Sequence, residues 1–360
     1  MNYNKINIIF VLPSVIAGGA ERILSFIASN LDKKKFNTTL LVIGFEKDTV
    51  YDIENLNIVY LNKTRVLKGI YSVFFYFKKH KPDIVVSSIV HLNTMIALIS
   101  PFFSKTKFVS REANVLSVLN KHNPYSKSFF PKGMVELGYR LVDKIICQSK
   151  DMQNDMTSNY KVPISKTVLI NNPITNQFKV KSQLRDNSKP IKFITIGRLS
   201  KEKGHHRIIE ALSKISFSFE YTIIGDGIEK DIIFQQIKTL GLSKKVTYIP
   251  FTKNVESYLT EADLFLQGSY VEGFPNVLIE SCVVGTPILA FNAPGGLDEI
   301  IENGVNGYIE ESMEYYIERL NKINESYPFY PNKVNSIVVQ RFNADRILSL
   351  YSELFINLAQ

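Results

Sequence analysis

The sequence predicts an α/β protein of two doubly wound domains, and three observations lead there. The chain has 360 residues, more than one ordinary core holds and enough for two domains. Short β-branched runs alternate with amphipathic stretches, the pattern of parallel strands joined by crossover helices. The alternation lapses once, across the polar residues 174–190, and then resumes.

In the first half the strand candidates are residues 6–12, 38–43, 58–61, 84–87, 107–110, 144–147 and 168–170, with helices such as 21–31 and 67–80 between them. In the second half they are 191–196, 219–224, 246–249, 264–266 and 288–290, with helices near 204–215 and 229–240. Residues 334–358 read as helical. The expected organisation is a first Rossmann-like domain over 1–173, a linker over 174–190, a second domain over 191–333 and a C-terminal helix over 334–360 that packs back on the first domain. Two such domains facing each other bind ligands at the carboxyl ends of their strands, in a cleft between them.

Composition narrows the class. Apolar residues make up 45% and charged residues 21%, a balance that excludes a disordered chain. Cys147 and Cys282 lie far apart inside apolar runs, so buried thiols and a reducing cytoplasm are expected, with no disulfide framework or zinc spacing. The run 6–12 reads as a strand rather than a signal peptide, and no apolar stretch approaches the roughly 20 residues that span a bilayer.

The net charge of +9 is uneven. Through Pro173 there are 23 Lys and Arg against 12 Asp and Glu; the remainder has 20 against 22. A basic half attracts phosphorylated ligands, anionic membrane or nucleic acid. No nucleic-acid recognition motif accompanies the charge, so nucleic acid is not an expected partner. Segments 71–81 and 126–132 mix aromatics with lysines. Each reads either as a membrane-docking face or, for the first, as a core helix ending in cations that suit its C-terminus.

Three loops carry candidate chemistry. Gly18-Gly19, after the first strand, opens a helix whose free N–H groups favour an anion; it also reads as a plain turn. Gly197-Arg198-Leu199-Ser200-Lys201-Glu202-Lys203-Gly204 puts an Arg and a Lys five residues apart in a loop opening a helix, a pair suited to a diphosphate. Glu272-Gly273-Phe274-Pro275-Asn276 leads into a helix that contains Glu280. With seven residues between them, the two carboxylates reach different parts of one ligand rather than forming an acid–base dyad. Gly225-Asp226-Gly227 and Ala293-Pro294-Gly295-Gly296 follow further strands, and Asp226 reads as a ligand contact or a helix cap.

Together the GGAER loop, GRLSKEKG, IIGDG, SYVEGFPNVLIESCVVGTPIL and PGGLDEII with NGVNGY resemble glycosyltransferase family four, the retaining GT-B enzymes, over the whole chain. The resemblance implies that Arg198 and Lys203 bind the donor diphosphate, with Glu272 on the donor sugar and Glu280 on the ribose. It places Gly18, Gly19, Gly197, Asp226, Gly273, Phe274, Pro275 and Asn276 around the donor. No metal or other cofactor is implied, and no Asp-x-Asp motif is present. Many members carry a His where Ala113 stands in Arg111-Glu112-Ala113-Asn114. Arg111, Glu112, Asn114 or His91 is then expected to serve the acceptor side in its place, His91 also reading as a structural or surface residue. His205 and His206 read as surface residues.

The FPNVLIE variant is similar to members that build capsule, O-antigen or lipid-linked oligosaccharides. The expected function is transfer of a hexose or N-acetylhexosamine from a UDP-sugar to a glycan or polyprenyl-diphosphate-linked saccharide, peripherally at the cytoplasmic face of the inner membrane. The alternative, prompted by Ala113, is a non-catalytic sugar-nucleotide-binding subunit of an assembly complex.

Overall fold

The computed structural model describes residues 5–16, 18–50, 53–123 and 129–360. Residues 1–4, Ala17 of the first loop and residues 126–128 of the second aromatic–lysine segment lie outside them. The chain forms two compact units. Unit 1 comprises residues 1–114, 127–175 and 344–360; unit 2 comprises 115–126 and 176–343.

Unit 1 is built on a seven-stranded sheet. Its strands are β1 (Ile6–Leu12), β2 (Phe36–Val42), β3 (Asn57–Tyr60), β4 (Ile84–Ser88), β5 (Lys107–Arg111), β6 (Lys144–Cys147) and β7 (Thr167–Leu169). All pairs are parallel, in the order β3-β2-β1-β4-β5-β6-β7. Phe10 of β1 sits opposite Leu40 of β2 and Val86 of β4, which puts apolar side chains in one layer. On that layer pack the helix Gly19–Asn30 and the C-terminal helix Ala344–Ala359, through Ile347, Tyr351 and Phe355. The Phe355 ring meets Phe10 and Phe36 edge-on at 6.1 and 6.3 Å.

Unit 2 has six strands. They are β8 (Ile191–Ile196), β9 (Phe219–Ile224), β10 (Val246–Ile249), β11 (Leu264–Gln267), β12 (Ile288–Phe291) and β13 (Gly307–Glu310). They too are all parallel, in the order β10-β9-β8-β11-β12-β13. In both sheets the chain starts in the middle, winds to one edge, then returns to wind the other way. The reversal lies between β1 and β4 in unit 1 and between β8 and β11 in unit 2. These are the topological switch points at which loops diverge and leave room for a ligand.

Four details differ from the sequence reading, the first being that residues 115–126, expected in the first domain, belong to unit 2. The tail is two helices, Pro331–Phe342 and Ala344–Ala359, with Asn343 extended between them; the first lies in unit 2 and the second in unit 1. Residues 171–186 form no helix or strand, yet from Asn176 onward the chain belongs to unit 2. Lys181 anchors it: its ammonium donates to the Ala262 carbonyl at 2.6 Å and to Thr286 Oγ1 at 2.9 Å, at the C-terminal end of the helix Val255–Glu261. Finally, β13 is an additional strand.

Both cysteines are buried free thiols, and burial raises the pKa of each. Among the described residues no helix is long and apolar enough to cross a membrane.

Candidate active site

The richest cluster of predicted site residues stands at the switch point of unit 2. β8 runs into Gly197-Arg198-Leu199, and β9 runs into Gly225-Asp226-Gly227. These two loops lie backbone on backbone: Leu199 N–H donates to the Asp226 carbonyl at 2.9 Å. Gly225 has φ +140°, and a Cβ there would sit 1.9 Å from the Gly197 carbonyl oxygen, so no other residue fits. Asp226 is exposed and accepts the Gly227 N–H through Oδ1 at 2.9 Å. It does not cap the following helix, Lys230–Thr239, whose N-cap position is Glu229.

The loop after β8 then crosses the loop after β11. Gly204, at φ +58°, and Gly268 face each other so closely that a Cβ on either would lie 2.0 or 2.4 Å from the other's carbonyl oxygen. With no side chain between the loops, Lys203 reaches Glu272. The ammonium donates to both carboxylate oxygens at 2.7 Å. Glu272 is 5% exposed, whereas 28% of the Lys203 side chain is open. Arg198 is exposed and its guanidinium has no hydrogen bond to the described residues. One loop thus presents an open guanidinium and a half-open ammonium. The ammonium has three N–H groups and spends two on Glu272.

Beyond Glu272 the chain turns through Gly273 and Phe274 into the helix Asn276–Val283, with Pro275 at its N-cap. Glu272 N–H donates to the Pro294 carbonyl at 2.8 Å, so the Pro294-Gly295-Gly296 turn backs the carboxylate-bearing residue. Glu280 is half-buried and accepts from Asn176 Nδ2 at 3.2 Å. The Phe274 ring is buried edge-on against Phe342 at 5.3 Å, because an apolar ring in this loop has a core to enter.

His205 is not a surface residue, whereas His206 is partly exposed. His205 is 2% exposed, and its Nε2 lies 3.1 Å from the Arg198 carbonyl. Burial, reinforced by Lys203, pushes its pKa down to about 4 despite that contact. His206 is half-buried, with Nε2 2.8 Å from the Tyr270 hydroxyl.

Four residues around the site received no role in the sequence reading: Gln267, Ser269 and Tyr270, the last two opening the quoted SYVEGFPNVLIE motif, and Asn176. Gln267 and Ser269 both donate to Glu272. Tyr270 stacks on His122 at 4.8 Å and lies under the Arg207 guanidinium at 4.6 Å. A polar residue closing the apolar run Leu264-Phe265-Leu266 is the one signal that pointed to Gln267.

In unit 1 the predicted residues are arranged differently. Gly18 is the N-cap of Gly19–Asn30, and the Glu21 carboxylate folds over it; a Cβ on Gly18 would lie 2.1 Å from Glu21 Oε2. An acidic side chain of the protein already stands at this helix start. His91 is half-buried in the first turn of Val90–Ile99, and burial lowers its pKa.

Arg111 and Glu112 are both wholly buried, which corrects the expectation that they face an acceptor. Arg111 donates from Nη2 to Asn172 Oδ1 at 2.5 Å and from Nε to the Tyr351 hydroxyl at 3.3 Å. Glu112 Oε1 accepts from Asn93 Nδ2 at 2.7 Å, and Asn93 Oδ1 in turn accepts from Ser87 at 2.8 Å. Burial pushes the Glu112 carboxyl up to about 7, with Asn93 and Tyr139 drawing it back. Their partners come from distant parts of the chain, so the burial has no local sequence signal. Asn114 is half-buried.

Two family models match successive parts of the chain. A family model described as Glycosyltransferase Family 4 matches residues 17–178, and one described as Glycosyl transferases group 1 matches residues 176–334. The chain is 28% identical over 310 residues to the N-acetylgalactosamine-N,N'-diacetylbacillosaminyl-diphospho-undecaprenol 4-alpha-N-acetylgalactosaminyltransferase of Campylobacter jejuni, covering 83% of this chain and 84% of that protein. It is 23% identical over 317 residues to the amylovoran biosynthesis glycosyltransferase AmsD of Erwinia amylovora, covering 85% and 86%. Among solved structures, Anabaena Alr3699/HepE in complex with UDP-glucose superposes with a TM-score of 0.80 at 20% identity, over 98% of this chain and 100% of that one.

Proposed function

The chain belongs to the family four glycosyltransferases of GT-B fold, with a group 1 second half, and from this premise we propose that it is a retaining, metal-independent enzyme transferring a hexose or N-acetylhexosamine from a UDP-sugar. The acceptor in this reading is a glycan or polyprenyl-diphosphate-linked saccharide of a surface polysaccharide. The Campylobacter relative bears the name of a transferase to a diphospho-undecaprenol-linked sugar, and the Anabaena structure holds UDP-glucose.

One observation carries the reading: Arg198 and Lys203 share a loop at the unit 2 switch point, and Lys203 touches Glu272 there. The bond from the sugar's anomeric carbon to the diphosphate oxygen breaks, and its electron pair leaves with the nucleotide. Arg198 and the third N–H of Lys203 meet the negative charge that develops on the diphosphate. Glu272 holds the donor sugar and Glu280 the ribose hydroxyls. The acceptor hydroxyl attacks the same face, forms the new anomeric bond, and gives its proton to the departing phosphate oxygen.

Unit 1 supports a location at the membrane. Tyr71 and Phe75, one turn apart on the helix Ile70–His80, are 77% and 61% exposed, and Phe102 is 73% exposed. Phe74 joins Phe75 to Phe102 with ring centroids 5.7 Å away from each, and Lys78, Lys79 and Lys81 are exposed beside them. The opposite side of the helix, Val73 and Phe77, is core. Co-sedimentation with anionic vesicles that is unaffected by Tyr71→Ser with Phe75→Ser would remove this location.

The test of the central reading is turnover of UDP-sugars by the purified chain and by Arg198→Ala and Lys203→Ala. Each substitution is expected to lower turnover on the order of 100- to 1000-fold with the fold intact. Undiminished transfer refutes the role assignment. Donor hydrolysis or transfer by the native chain also excludes the non-catalytic alternative.

A further inference from the structure

The Glu272 carboxylate is held asymmetrically. Its Oε1 accepts from Lys203 Nζ at 2.7 Å, Gln267 Nε2 at 2.7 Å and Ser269 Oγ at 2.6 Å. Among the described residues its Oε2 accepts from Lys203 alone, at 2.7 Å. The directions are determinate. A carboxylate only accepts, so the Ser269 hydroxyl donates to it and receives its own bond from the second Gln267 N–H, at 2.9 Å. Turning the amide over would set its oxygen against Oε1 and Ser269 Oγ and lose both donors.

Gln267 is 5% exposed, Ser269 fully buried and Glu272 5% exposed. Gln267 closes β11 directly after Leu264-Phe265-Leu266 and pairs in register with Ala290 of β12. Packing at that position calls for an apolar side chain. A buried amide there is costly unless both its N–H groups are used, and both are.

We infer that Gln267, acting directly and through Ser269, is a positioning residue that saturates Oε1 of Glu272 and leaves Oε2 as the oxygen that accepts a hydroxyl of the donor sugar. Gln267 touches neither sugar nor diphosphate; it sets the rotation of the carboxylate that does. Losing it leaves Glu272 held by Lys203 and by a Ser269 hydroxyl that has itself lost its Gln267 donor, so the carboxylate is freer to turn about its side-chain bonds. Discrimination between sugar nucleotide and bare nucleotide then falls, while nucleotide binding is untouched. The inference rests on the reading of Glu272 as the residue that meets the donor sugar.

The experiment is calorimetric titration of the full chain with UDP, UDP-glucose and UDP-N-acetylgalactosamine, in the native protein and in Gln267→Leu, Ser269→Ala, Ser269→Thr and Glu272→Gln. Gln267→Leu is expected to weaken the better-bound sugar nucleotide about tenfold and to leave the UDP affinity within about twofold, since one bond to a charged group is lost. Ser269→Ala moves the same way and Ser269→Thr, which keeps the hydroxyl, retains native discrimination. Equal weakening of UDP and sugar nucleotide by Gln267→Leu overturns the inference, because the residue then serves the fold or the nucleotide. So does an unchanged ratio in Gln267→Leu and Ser269→Ala while Glu272→Gln loses it. An unchanged ratio in Glu272→Gln, or a native protein that binds UDP as well as any sugar nucleotide, removes the inference together with its premise. Should Gln267→Leu fail to fold, the Ser269 pair decides alone.

Discussion

The two units share one topology and use their charged residues in opposite ways. At the switch point of unit 2, Arg198 is exposed and Lys203 half-open, in loops whose crossing is made possible by Gly204 and Gly268. In unit 1, at the carboxyl end of β5, Arg111 and Glu112 are sealed inside a network with Asn93, Asn172 and Tyr351. The same winding therefore yields a presenting site in one unit and a self-bonded polar core in the other. What separates them is whether the neighbouring side chains supply partners. Tyr351, on the C-terminal helix, and Asn172, after β7, come to the Arg111 guanidinium; among the described residues no hydrogen-bond partner comes to that of Arg198.

Breaking each half of this contrast gives distinct outcomes. The largest effect belongs to Arg198→Ala, which cuts turnover with an unchanged thermal melt, and to Lys203→Ala, which cuts turnover and also lowers Tm because the buried Glu272 carboxylate loses its cation. Arg111→Ala does the reverse. It leaves the buried Asn172 oxygen and the Tyr351 hydroxyl without their donor, and stability is expected to fall by about 1–3 kcal/mol, read by urea unfolding. An Arg111→Ala protein as stable as the native one would show that the buried network is dispensable.

A smaller effect separates the units by pH. The Glu112 carboxyl is raised to about 7, so between its ordinary value and 7 the unfolded chain holds fewer protons than the native one. Its contribution to stability is fully present below the ordinary carboxylate range, declines as pH rises toward 7, and is level above. His205, lowered to about 4, has the opposite sign: the unfolded chain takes up a proton near 6.5 that the native one refuses, so its contribution is lost as pH falls from 6.5 through 4. Glu112→Gln should flatten the decline between pH 5 and 7, and His205→Asn the loss below pH 6, both measured as Tm against pH. Superimposable profiles for native and substituted proteins contradict the assignment.

Legibility in the sequence follows the same divide. The strands were readable because parallel buried strands need β-branched runs, and β1, β6, β8, β9 and β10 begin and end where those runs do. β13 was not, because Gly307-Tyr308-Ile309-Glu310 has little strand character of its own. It forms by pairing on β12, so closely that a Cβ at Gly307 would lie 2.3 Å from the Ile288 carbonyl oxygen. The loop placement of Arg198, Lys203 and Glu272 was legible because each follows a recognisable strand. The burial of Arg111 was not, since its Tyr351 partner is 240 residues away. Gln267 shows the limit most plainly: a single amide at a strand end has no pattern, and its meaning is visible only once Glu272 folds back onto it.

The central claim is that the unit 2 switch point, and not the buried network of unit 1, receives the nucleotide. Amide hydrogen exchange followed by mass spectrometry, with and without saturating UDP, tests it most directly. The account predicts added protection in residues 197–204 and 268–280, none in residues 107–114, and loss of the added protection in Arg198→Ala at the same UDP concentration. Protection centred on residues 107–114, or protection of 197–204 that survives Arg198→Ala together with Lys203→Ala, would contradict it.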